Sequence, residues 1–146
     1  MIRDAQTTFS DAQAVTAAAA STNLIDLSVA RDIGVGRELW VVLVVTTALT
    51  DAGSDSTVTV DIQTDTLAAF GSPTTVQTLF TIPAVSAVGT VLRARINPVT
   101  TDEQFMRLNY TPNNGNLTTG SWDAFITTDP DLFTIYPKGY TITNPS

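Results

Sequence analysis

A chain of 146 residues with 43% hydrophobic content can bury one substantial core, so a single domain over 1–146 is expected. The formal net charge of −7 excludes a phosphate-binding surface built on clustered Lys and Arg, and an acidic membrane surface for the same reason. With no His and no Cys, the chain lacks the usual general base, thiol nucleophile and transition-metal ligands, and cannot be stapled by disulfides.

Charged residues make up 14% of the chain, against roughly 25% in ordinary soluble proteins. Threonine takes their place, with 26 copies. Its β-branched side chain fits a pleated, half-exposed surface and is restricted in a helix, which favours strands throughout. Lys138 is the only lysine beside six arginines, a bias shared with surfaces that partners cover. Ala17–Ala20 is too short and too weakly apolar for a signal peptide, and the apolar run Leu39–Val45 is far below the roughly 20 residues of a membrane span. Folding in a reducing cytoplasm, with no visible export signal, is the expectation.

In chain order, the first eleven residues form an extended segment, followed by strands near Ala14–Ala17 and Asn23–Ser28. Gly34-Val35-Gly36 is too short for a phosphate cradle and predicts a tight turn. The strand over Glu38–Thr47 contains Leu39–Val45, which lacks alternation, so both faces require cover, inside a sandwich or against another subunit. Asp51–Asp55 predicts a hairpin turn; it lacks the third oxygen ligand, following Gly and distal Glu of a calcium loop. Thr57–Gln63 alternates, with Val58, Val60 and Ile62 facing inward. Gly71-Ser72-Pro73 separates it from a strand at Val76–Ile82. Three more inward rows follow: Leu92, Ala94 and Ile96; Met106, Leu108 and Tyr110; and Trp122, Ala124 and Ile126. Asn97-Pro98 and the Pro112–Gly115 turn divide them, and a last extended stretch covers Phe133–Thr143. No internal repeat is evident. The pattern predicts an all-β fold, an antiparallel β-sandwich of jelly-roll type with about eight strands and extended terminal segments at 1–11 and 131–146.

The chemistry available is sparse. A carboxylate pair could act on a glycoside, but the two glutamates, Glu38 and Glu103, stand alone and most aspartates sit in turns. No enzyme, cofactor or small-molecule substrate is expected. Trp40, Trp122, Tyr110, Tyr136 and Tyr140 could stack on sugars, which keeps a carbohydrate-binding or host-adhesion module as the rival class. Trp122 on an inward row and Trp40 inside an apolar run favour core roles.

Met1–Val15 and Asn23–Ser28, with Gly53–Thr64, Leu108–Tyr110, Gly115–Gly120 and Tyr136–Ile142, resemble the Bbp16-like bacteriophage capsid cement proteins across nearly the whole chain. The resemblance implies a jelly-roll decoration protein in the virion, on the outer surface of an icosahedral capsid. It further implies a homotrimer that clamps the major capsid protein. The contacts expected from the two ends are Ile2, Arg3 and Phe9, and Tyr136, Pro137, Lys138 and Tyr140; the other reading of each end is a terminal strand folded onto its own sandwich.

Overall fold

The fold is that of a computed structural model, which describes residues 4–98 and 103–130. Among the described residues nine strands follow a 3-10 turn at Ala5–Thr7: β1 Thr8–Ala14, β2 Ala19–Ala20, β3 Ile25–Asp26, β4 Trp40–Thr50, β5 Thr57–Asp65, β6 Thr74–Ile82, β7 Val91–Arg95, β8 Phe105–Asn113 and β9 Thr119–Thr127. The described residues contain no α-helix.

One sheet has the order β1-β9-β4-β7 and the other β2-β8-β5-β6, with β3 also paired to β8. Every pairing is antiparallel. Since β2 and β3 lie along the same neighbour, they act as one interrupted strand. Eight strand lines then run alternately up and down, two four-stranded sheets face one another, and sequential strands cross between sheets at every connection but β5 to β6. That is jelly-roll connectivity.

The inward rows read from the sequence form the core. Val58, Val60 and Ile62 meet Met106, Leu108 and Tyr110 on one sheet, while Val41, Leu43, Val45, Trp122 and Ala124 come from the other. Tyr110 and Trp122 touch edge to face across the interior, with ring centres 5.1 Å apart and planes at 75°. Strand β4 lies between β9 and β7, which explains its unbroken apolar run. Val42 and its partner Phe125 are buried on the face of that sheet turned away from the core. Trp40 shares this outer row and is half-buried, so it is not the core residue its apolar neighbours suggested.

The N-terminal strand differs most from expectation. It starts at Thr8 rather than Ala14, and two register shifts against β9 put Thr8, Phe9 and Ser10 all in buried positions. Ala12, with φ +46°, sits at the second shift, and its N–H donates to Asp123 Oδ1 at 2.6 Å. Bulges insert extra residues and erase period-two alternation, which hid this strand in the sequence. Residues 8–11 therefore belong to the sandwich and not to a free arm. The stretch Phe133–Thr143 lies outside the described residues.

Candidate functional site

Up-and-down strands send every connection to one of two poles. The first pole carries the 3-10 turn, residues 27–39, residues 66–73 and the exit from β9 to Pro130. The opposite pole carries residues 15–18, 51–56, 83–90 and 114–118.

At the opposite pole the 51–56 connection is a self-contained turn. Asp51 Oδ2 accepts the N–H of Gly53 at 3.1 Å and of Asp55 at 3.4 Å. Partial desolvation pushes the Asp51 carboxyl up, but hydrogen bonds from Ser56, Asp55 and Gly53 outweigh it and hold the pKa below the ordinary carboxylate value. The carboxylate is thus engaged by its own loop, as turn chemistry predicts. Among the described residues no group of three or more Asp or Glu side chains gathers in metal-binding geometry.

Two carboxylates organise the first pole. Asp65 Oδ1 accepts the N–H of Leu67 at 3.0 Å, and Oδ2 that of Ser72, also at 3.0 Å. These donors draw its pKa down and close the 66–73 loop, over which Phe70 lies under the Arg107 guanidinium at 4.3 Å. Asp26 is likewise held below the ordinary carboxylate value, by the Gln104 amide and then by the Ser28 N–H.

The 27–39 loop is the longest described connection, and its sequence explains its shape. Leu27, Ile33 and Leu39, spaced six apart, pack against the core. Backbone bonds fix both ends: Leu27 N donates to Gln104 O at 2.9 Å, and Ile96 N to Leu39 O at 2.8 Å. Between these anchors Val29 is 55% and Val35 70% exposed, and Arg31 and Arg37 are exposed beside them. Gly34 and Gly36 have φ near +80°, the turn expected there.

Of the residues expected to grip a partner, Phe9 is corrected: it is fully buried, packed among Val41, Trp122 and the rest of the core. Its apparent lack of a core partner came from the bulges on either side of it. Ile2, Arg3, Tyr136, Pro137, Lys138 and Tyr140 lie outside the described residues. The aromatic residues available for stacking are also placed: Tyr110 and Trp122 are interior. An open concavity of about 700 Å³ near the first pole is lined by Ala5, Gln6, Thr22, Asn23, Leu24 and Asp26 among others, with no aromatic side chain among the described lining residues. A threonine- and alanine-lined groove by Ala14, Thr46 and Thr119 has none either.

The comparison with protein families decides what this sandwich is related to: residues 9–126 match the Bbp16 family. The chain belongs to the Bbp16 family. The match runs from the buried Phe9 of β1 to Ile126 near the end of β9, so it covers all eight strand lines. Membership of Bbp16 points to a phage protein. No curated protein matches the chain.

The Bbp16 sandwich also carries a signal that sequence reading missed. Val29-Ala30-Arg31-Asp32-Ile33 and Val35-Gly36-Arg37-Glu38-Leu39 repeat one pattern at a spacing of six: Val, small residue, Arg, acid, aliphatic. Six matches neither the strand period nor the helical one, so periodicity scanning passes over it.

Proposed function

We propose that this Bbp16-family protein is a non-enzymatic capsid cement protein. It binds the outside of an icosahedral phage head as a homotrimer and stabilises contacts between major capsid subunits. Family membership over the whole sandwich carries the reading. The molecule's build supports it: Asp26, Asp51 and Asp65 are each engaged in holding their own turns, and, Leu24 apart, the large exposed apolar groups sit in connections rather than in a concavity. A trimer seated across a seam between capsomers adds buried surface that must be lost before the seam opens, which raises the temperature of head disruption by mass action. Nucleic acid, membrane and small molecules play no part in this scheme, and no cofactor is required. The groups Ile2, Arg3, Tyr136, Pro137, Lys138 and Tyr140 are retained as contacts made by the chain ends.

The test is reconstitution. Purified protein should sediment as a trimer, bind expanded heads that lack it, and raise their melting temperature. Replacing Tyr136 and Tyr140 with Ala should weaken that binding without altering the far-ultraviolet spectrum. Failure of the wild-type protein to bind such heads, together with retention on immobilised oligosaccharide, would replace this reading with a host-surface or sugar-binding one.

A further inference from the structure

We infer that the 27–39 loop is a docking element for a carboxylate-bearing protein surface, each of its two Val–Arg pairs setting an apolar side chain beside a guanidinium. The inference rests on the capsid reading and supplies the contact chemistry for it.

The five arginines among the described residues separate into two groups. Arg95 pairs with Glu38 at 3.1 Å, Arg93 donates to Pro130 O at 3.2 Å, and Arg107 stacks on Phe70 while donating to Gln63 Oε1 at 3.0 Å. Arg31 and Arg37 have no hydrogen bond or ion pair among the described residues. The acids that follow them do not neutralise them: Asp32 forms no ion pair among the described residues, and Glu38 is taken by Arg95.

A solvated loop in this chain would draw on threonine, the commonest polar residue elsewhere, yet residues 27–39 contain none. They hold instead two of the six arginines and two of the most exposed valines. The display is also held in place. Leu27, Ile33 and Leu39 are seated on the core, so the intervening Val–Arg pairs are carried on short spans fixed at both ends. Pre-fixed side chains lose less entropy on binding than those of a loose loop. A long connection that is anchored yet apolar at its crest has the form of a binding loop.

The charge selects the partner. Guanidinium groups take carboxylates in bidentate fashion, and a neighbouring valine asks for an apolar hollow next to that carboxylate. Two guanidiniums on a molecule of net charge −7 do not make a phosphate-binding surface, and exposed valines add nothing to one. The fitting surface is a protein with acidic side chains rimming apolar depressions.

The experiment uses full-length protein and expanded heads lacking it. Arg31→Gln with Arg37→Gln should weaken head binding at least about tenfold, as should Val29→Ser with Val35→Ser. All four positions are exposed, so the spectrum and thermal midpoint of the free protein should not move. The double Gln variant should also lose much of the salt dependence that the wild type shows. Replacing both arginines with Lys should restore charge and only part of the affinity, because the planar fork is gone. Wild-type affinity in the double Gln variant would overturn the inference and leave the capsid reading intact. Dissociation of the trimer in that variant would make the occupant a second copy of this chain. Equal binding of the wild type to duplex DNA would overturn the choice of a protein partner. Absence of any wild-type binding to heads would sink the capsid reading and this inference together.

Discussion

Tyr110 shows how one hydroxyl is accommodated in an otherwise apolar interior. Its oxygen lies 2.7 Å from Ser10 Oγ, and Ser10 in turn donates to Gln13 Oε1 at 2.6 Å, so the tyrosine donates to the serine. Gln13 completes the relay by accepting the Thr22 N–H and donating to Ala20 O. A polar thread therefore runs from the core to the interrupted strand. Burial pushes the Tyr110 hydroxyl up to about 12, against weaker opposition from its hydrogen bonds. A raised pKa means the native state prefers the neutral phenol. Its contribution is complete below the unfolded value near 10 and is lost as pH rises toward 12. Tyr110→Phe should cost about 1 kcal/mol in urea unfolding at pH 7 and should flatten the loss of stability between pH 10 and 12. An identical alkaline limb in both proteins would show that Tyr110 is not the titrating group. Inward placement of Tyr110 was legible from alternation alone. Its serine partner was not, because Ser10 lies on a strand whose period is broken.

Among the elements, β1 and the 27–39 loop were the least legible, for different reasons. The central strands β5 and β8 alternate because one face meets the core, and their rows were readable residue by residue. In β9 the inward row of Trp122, Ala124 and Ile126 was readable although Phe125 is buried on the other face. Strand β1 lies at a sheet edge with two bulges, so burial follows its irregular backbone rather than a period. Phe9→Ala should therefore behave as a core truncation, costing about 3–5 kcal/mol in denaturant unfolding, and not as the removal of a surface contact. Unchanged stability in that variant would return Phe9 to the surface. In the loop, turn chemistry at Gly34 and Gly36 was readable, but which side chains it leaves outside depends on where Ile33 and Leu39 land. The two glycines differ in a testable way. A Cβ on Gly34 would stand 3.3 Å from Ile96 O, whereas one on Gly36 meets nothing within 4 Å. Both replacements by Ala incur the left-handed backbone cost of about 1–2 kcal/mol. Gly34→Ala should exceed Gly36→Ala, because it also presses on the strand β7 exit. Equal losses in thermal unfolding would mean that the contact with Ile96 yields freely.

Across the whole molecule, composition and alternation were enough to give an all-β jelly roll, because a sandwich with one core imposes period two on most of its strands. The candidate surface was far less readable. Partner contact depends on which connections share a pole, and that is fixed by topology. The family match supports a phage assignment, and the reconstitution of expanded heads remains the measurement that ties the fold to a task. The strict alternation of strand direction has one more consequence. The described chain enters at Asp4 and leaves at Pro130 on the same pole that displays Val29, Arg31, Val35 and Arg37. A foreign peptide inserted next to Asp4 or Pro130 would thus emerge at the same pole as the 27–39 loop and crowd it. The turn near Ser54 lies at the far pole and turns back on itself through Asp51, so a guest sequence spliced there would point away from that loop. The same up-and-down winding that closes the core therefore gives the sandwich two unlike ends, and it makes the internal turn at Ser54 a natural place from which to display a cargo clear of the 27–39 loop.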